Sequence, residues 1–532
     1  MVMTLAVLPL MSYAAAAQAA PRQPGPTVSQ AVKFDTSRAL RDLPPVAAGR
    51  GAVDERGGAP AADTRHTPDG ALDSGATTAS MPAPVRTFEG ASNADNASTF
   101  GFMVSPPDSD GDVGMHHYVE LINLTFTVFD KSGTRLYGPA GIGTIWQGFL
   151  DDCTDASGDP IVLYDKTANR WLLSQFTTRG PEYFNCVAIS TSQDPLGSYY
   201  RYAFSTGLNF PDYPKYGTWP DAYYITTREF DPSDNESIGV YAVDRRQMLT
   251  GNPTPRMVKF NFDSPAYLVG DGILPADLDG TRLPPAGSPE YFVGTMDDEA
   301  FDGAPFDGLN VFQMKVNWSK PAQSTFGLSD QVPVAPFDSI FPCSPGSRNC
   351  IDQPGTSNKV DILSYRQRPT WRLAYRNFGD HESLVTNQSV EARPGIAGVR
   401  WYELRSPADP VLYQQGTYAP GDGVHRWMGS AAMDKYGNLA VGYSVSNATT
   451  VYPGIRYAGR LAGDPLGELA RGEAVLVNGS GSQLVSARWG DYSSLNVDPA
   501  DDCTFWYVNE YYQVSSARGW QTRIGAFRFP GC

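Results

Sequence analysis

The chain has 532 residues, 41% of them hydrophobic and 18% charged, with 53 Gly and 43 Pro. This composition can bury a large core, and it favours many short strands joined by turns over long helices. A formal net charge of -16 argues against nucleic acid or an anionic membrane as the main partner, because gripping a polyanion needs a cationic surface.

Taken in chain order, residues 1–19 read as a signal peptide: a short apolar run followed by Ala17-Gln18-Ala19, the small-x-small form that signal peptidase cuts, although no Lys or Arg precedes the run. Residues 20–95 are rich in Ala, Gly, Pro, Ser and Thr and read as a disordered, low-complexity leader or linker. Residues 96–532 read as one all-β domain. No later segment is apolar for about 18 residues, so no membrane span is expected. The six cysteines include no Cys-x-x-Cys pair and suit an oxidising compartment, which predicts a secreted protein, extracellular or periplasmic. Proximity along the chain favours the disulfides Cys153–Cys186, Cys343–Cys350 and Cys503–Cys532.

The stretch "SSLNVDPADDCTFWYVNEYY" has the form short apolar strand, Asp-marked turn, longer aromatic strand, and this form recurs. "SAAMDKYGNLAVGYSVSN", "DPIVLYDKTANRWLLSQF" and "VSPPDSDGDVGMHHYVELIN" repeat it, and "WPDAYYITTREF", "ILPADLDG" with "EYFVGTMDDE", and "FGDHESLVTNQSV" follow it more loosely. Asp-Pro-Leu-Gly at Asp194 and Asp464 is expected to join third to fourth strands. Unit starts near residues 108, 159, 221, 277, 380, 430 and 491 predict a single seven-bladed β-propeller, six or eight blades being the alternatives because residues 320–370 form a long gap. The strand around Phe100 is expected to close the ring against the last blade. Asp165, Asp434 and Asp498 read as turn caps.

The recurring Asp turns with a nearby Thr and Trp, as at Asp498, Thr504 and Trp506, resemble the Asp-box propellers of the sialidase-like superfamily. The turn lacks the Gly of that motif, and the nearest string to its Phe/Tyr-Arg-Ile-Pro signature, "FRFP", lies at the wrong end of the chain. Residues 100–532 are also similar to secreted bacterial proteins to which the resemblance attaches no activity. What the resemblance implies is a propeller acting on glycans.

In a propeller, ligands collect over the channel where first strands start and second strands end, which sets a position and not a reaction. The predicted catalytic carboxyls there are Asp491, Glu510, Asp159, Asp221 and Asp380, with His381; the predicted substrate contacts are Arg426, Arg488, His425, Asn447 and Asn509. Paired carboxyls suit glycoside hydrolysis of an acidic or polyhydroxylated glycan, one protonated and one ionised, while Arg clamps a carboxylate. Two alternatives stand: a polysaccharide lyase using His381 or His425 with Arg, and a propeller that only binds glycan or protein. Asp108, Asp110 and Asp112 alternate as at the start of a calcium loop, so Ca2+ is the one cofactor expected, and none is required for catalysis. The partner expected is a polysaccharide or glycoconjugate, and the chain is expected to be a monomer.

Overall fold

The computed structural model describes residues 25–45, 67–75, 77, 79–262, 266–300, 303–339, 349–362 and 368–532. The predicted signal peptide lies outside them. The described strands form seven successive four-stranded antiparallel meanders, which we call blades. Their first strands are Asp110–Val113, Ile161–Asp165, Phe210–Thr218, Leu274–Asp279, Thr370–Asn377, His425–Met433 and Ser494–Val497. Each first strand neighbours the next, and the seventh neighbours the first, so they ring a common axis: the architecture is a β-propeller. The first strands of the fourth and fifth blades even pair in parallel, Ala276 opposite Leu373.

Closure differs from the expectation. Arg86–Ser92, not the segment around Phe100, pairs with Gln521–Phe527 as the outer strand of the seventh blade. Asn93–Phe100 is a helix, started by a capping box between Ser92 and Asp95 and ended by left-handed Gly101. The segment read as a disordered leader also contributes to the fold. Thr27–Gln30 adds a fifth strand to the third blade and Lys33–Thr36 one to the second. Both cover outer edges that would otherwise expose unpaired amides.

The turn reading holds. Asp165 Oδ1 accepts the amides of Thr167 and Ala168, and Asp434 Oδ1 those of Tyr436 and Asn438. Asp498 Oδ1 accepts the amide of Ala500. Both Asp-Pro-Leu-Gly turns lie between third and fourth strands. Described residues of the long gap form a small insertion, Asn349–Ile351 paired with Val360–Asp361, between the fourth and fifth blades. Eight of the ten tryptophans are fully buried between sheets, which makes them packing, each worth roughly 2–3 kcal/mol, and not exposed sugar platforms. Cys153–Cys186 and Cys503–Cys532 are disulfides. Cys350 is disulfide-bonded too, and its predicted partner Cys343 lies outside the described residues.

Along the axis, first strands have edge amides that no ladder satisfies, and side chains supply the acceptors. Asp110 Oδ2 accepts the amide of Val162 at 2.8 Å and Asp112 Oδ2 that of Tyr164 at 2.6 Å. This overturns the calcium-loop reading of those two residues. Their alternation is the two-residue period of a strand, in register with the amides of the next blade, and their oxygens are occupied by backbone. Deeper in the channel, fully buried Arg372 bonds both Asp277 and Asp279, and Lys166 pairs with Asp279 at 2.8 Å.

Candidate active site

The site is built where first strands begin. Asp108, Asp159, Tyr213 and Met428 have φ of 45°, 44°, 51° and 53°, each two residues before a first-strand position. A left-handed conformation costs a non-glycine residue about 1–2 kcal/mol, and four such residues at equivalent places are held there by their surroundings. In the third and sixth blades the same place carries an irregularity in register, between Asp212 and Lys215 and between Trp427 and Ser430.

A continuous network joins the seventh, first, second and third blades. Asp108 Oδ1 accepts the Asp491 amide at 2.7 Å. Asn123 donates to Asp108 Oδ2 at 2.5 Å while its own Oδ1 accepts the Asp159 amide at 3.1 Å. Asp159 Oδ2 in turn accepts the Tyr492 hydroxyl at 3.0 Å and the Tyr213 amide at 3.2 Å. Cations face these carboxyls. Arg488 lies 3.3 Å and Arg368 3.8 Å from Asp491 Oδ2. Lys215 Nζ stands 3.2 Å from the Tyr213 ring centroid and 3.4 Å from that of Tyr492, and Arg368 Cζ lies 3.7 Å from the Tyr213 ring. The buried Tyr213 hydroxyl has no hydrogen-bond partner among the described residues.

Burial dominates the electrostatics. It raises Asp108 to about 7, with Asp491 adding to the effect, and raises Asp159 to about 7, with Asp108 adding and Lys215 opposing. Asp212 rises to about 7 through burial and then Asp159. Glu510 is pushed well above the carboxylate range by burial. Lys215 is pushed well below the usual lysine range by burial and then by Arg368, so both Lys215 and Asp159 lean toward their neutral forms. Asp491, by contrast, is flanked by two guanidiniums. A carboxyl pushed toward its neutral form, beside another faced by guanidiniums, is an arrangement that acid–base chemistry can use.

The structure therefore brings together Asp159, Asp491 and Arg488, with Glu510 behind them. Fully buried Glu510 accepts the Gly490 amide through Oε1, so it holds the segment that carries Asp491. Asp108 belongs here rather than to an ion site. Three predicted catalytic residues do not belong. Asp221 lies in the turn between first and second strands of the third blade, and Asp380 and His381 in that turn of the fifth, all on the opposite face. Asp380 is 83% exposed and pairs with its neighbour His381. The units there were read one strand out of phase.

Arg426 is saturated by Glu473 at 2.7 Å and Asp422 at 2.8 Å, away from the basin. His425 accepts the Ala397 amide and is lowered to about 4 by burial, which removes it as a neutral-pH base. Asn447 caps its own turn, accepting the amides of Thr449, Thr450 and Val451. Asn509 donates to Tyr507 within the seventh blade and to Ser444 of the sixth, which makes it an inter-blade tie. Among the described residues, the carboxyls close enough to share an ion are Asp297, Asp298 and Asp307, not Asp108, Asp110 and Asp112.

Sequence reasoning missed Tyr213, Lys215, Arg368 and Tyr492. The signal for the first two was "DYPKYG", a charged and Pro-containing string just before the Trp219 turn, where a polar inner strand had to lie.

No family model and no curated protein matches the chain. Solved structures similar to it include an endo-arabinase from Bacteroides thetaiotaomicron, 13% identical, covering 58% of this chain and 95% of that one at a TM-score of 0.27. An α-L-arabinanase from Penicillium chrysogenum in complex with arabinobiose is 9% identical, covering 60% and 93% at a TM-score of 0.30. The polysaccharide lyase Uly1 is 9% identical, covering 81% and 91% at a TM-score of 0.36. The propeller assignment rests on the sheet topology, not on likenesses of this size. The sialidase-like resemblance reaches no further than that shared architecture.

Proposed function

We propose that the chain is an exported carbohydrate-active enzyme, a glycoside hydrolase whose reaction centre is the basin at the first-strand starts. One observation carries the reading: Asp159, raised to about 7, and Asp491, flanked by Arg368 and Arg488, stand in one hydrogen-bonded network. In this reading Asp159 donates the proton to the leaving oxygen, and Asp491 serves as base or nucleophile on the other side of the sugar. Arg368 and Arg488 favour a glycan bearing carboxylate or sulfate groups. Asp108 and Asn123 orient the two reacting carboxyls, and Glu510 positions the Asp491 segment through Gly490. Disulfides fit an extracellular or periplasmic setting.

The test is a screen of the purified protein against acidic and neutral polysaccharides, reading new reducing ends. Asp159→Asn and Asp491→Asn should abolish turnover with the fold intact, and Glu510→Gln should reduce it less. Full activity in both aspartate variants would refute the assignment.

A lyase reading is favoured by one further observation, the unpartnered Tyr213 hydroxyl between Lys215 and Arg368. There Tyr213 would handle the proton beside a uronate carboxylate that Arg368 neutralises. Ultraviolet absorbance from unsaturated products, lost in Tyr213→Phe, would select it over hydrolysis.

A further inference from the structure

Between the third and fourth blades, on the face away from the strand starts, the turn of Trp219, Pro220 and Asp221 meets the loop 283–289 around a cavity of about 310 Å³. Met314, Lys315 and Val316 complete the wall. Leu283 and prolines 220, 284, 285 and 289 make most of this lining apolar and stiff. Asp221 is anchored in it: Tyr224 donates its hydroxyl at 3.2 Å and Trp318 its indole N–H at 3.2 Å.

Directly after Pro289 comes Glu290, which is fully buried and shares a strand face with Phe292, whose ring meets that of Tyr224 edge-on at 5.9 Å. No side chain among the described residues bonds either carboxyl oxygen of Glu290, and the Ala276 amide is the backbone group that reaches it. Burial pushes Glu290 well above the carboxylate range, with Asp221 and then Asp277 adding to the effect, and burial raises Asp221, with Asp244 adding. Of the cations nearby, Arg256 lies over the Trp318 ring and pairs with Asp244, and Lys315 reaches the cavity only from its exposed rim. A carboxylate set in an apolar wall is costly, and an incoming cation would relieve it. Apolar walls and aromatic rings suit an organic cation better than a hard metal ion, which seeks six or more oxygens.

We propose that this cavity binds an organic ammonium group, the cation held by Asp221 beside the Tyr224 and Trp219 rings and the apolar body of the ligand resting on the proline wall. This site is separate from the basin at the strand starts and does not depend on how that basin is read. Trp219 and Trp318 flank Asp221, so binding should change intrinsic fluorescence.

The experiment titrates the full chain with n-pentylammonium chloride and, in parallel, with 1-pentanol, the neutral ligand of the same length, following fluorescence and calorimetry. Saturable binding of the ammonium, with pentanol weaker by about tenfold or more, is expected. Asp221→Asn keeps an acceptor for Tyr224 and Trp318 but should weaken ammonium binding by about tenfold or more, with pentanol unchanged. Equal binding of the two probes, no saturable signal below about 10 mM, or unchanged ammonium affinity in Asp221→Asn would overturn the proposal. Should that variant fail to fold, the comparison of the two probes on the wild-type chain decides alone.

Discussion

Asp159→Asn should make the protein more stable while it removes activity, and the gain should grow with pH. Asn keeps the oxygen that accepts from the Tyr492 hydroxyl and the Tyr213 amide, and it tolerates the left-handed backbone at this position. What it removes is a carboxyl moved from 3.8 to about 7 mainly by burial. The sign follows from proton binding. Between those two values the folded chain holds a proton that the unfolded chain has released, so stability falls as pH rises through the window. Integrating one such group gives a cost of about 1.5 kcal/mol at about pH 5 and about 4 kcal/mol at about pH 8. The variant should therefore gain roughly 2.5 kcal/mol over wild type between the two conditions. Urea denaturation of both proteins at the two pH values measures the difference. A stability difference that is the same at both, or one that favours wild type more at the higher pH, would show that Asp159 is charged in the folded protein and cannot serve as the proton donor.

Arg372→Met should cost about 3–5 kcal/mol in urea unfolding, because it takes from buried Asp277 the cation it pairs with and leaves Asp279 with Lys166 alone. Burial pushes Asp279 up, but Arg372 and Lys166 outweigh it and hold the carboxyl below its ordinary value. That contribution is present above the unfolded carboxylate range and is lost as pH falls into it, so wild type should lose more stability than Arg372→Met on acidification. Cys153→Ser opens a 33-residue separation and should cost about 2–4 kcal/mol in urea unfolding under oxidising conditions, a loss smaller than that of wild type in a reductant that also opens Cys503–Cys532. Asp380→Ala and His381→Ala should leave turnover within about twofold of wild type, since both lie in an exposed turn on the far face; a larger loss of kcat would return them to the reaction.

The blades were legible where a turn needs a particular side chain. Asp165, Asp434 and Asp498 each cap the amides that follow, and no apolar residue can replace that acceptor. The Asp-Pro-Leu-Gly turns mark the other end of the sheet for the same reason. What could not be read was the inner strand of two blades. Phe210–Thr218 contains Pro211 and Pro214, and proline in a run ordinarily argues against a central strand. Here the strand borders the channel, where an edge amide has no ladder partner to lose. Thr370–Asn377 hides in a second way: Arg372 and Arg376 look like surface charge, yet both are buried in pairs with Asp277, Asp279 and Asp502. The closing strand Arg86–Ser92 was passed over because the composition around it is that of a linker, and its partner strand lies over 400 residues away in sequence.

That phase error explains which half of the site was found. A first strand such as Phe210–Thr218 spans nine residues, roughly 30 Å at the rise of a strand. Mistaking a second strand for a first therefore carries a residue from one face of the propeller to the other, which is what happened to Asp221, Asp380 and His381. In the second and seventh blades the phase was right, and Asp159 and Asp491 fell in the basin. Of the four residues missed, Tyr213, Lys215 and Arg368 come from the third and fifth blades, whose inner strands were not recognised, and Tyr492 precedes the seventh. Lys215 and Arg368 thus escape notice, unlike Arg488, for the same physical reason that the far-face residues stand out: polar and proline-bearing inner strands do not alternate like sheet, because the channel they border asks for charge. A search for such strings just upstream of an Asp-marked turn, "DYPKYG" before Trp219 and "RPTWRLAYRN" before Phe378, would have set the phase from the sequence alone.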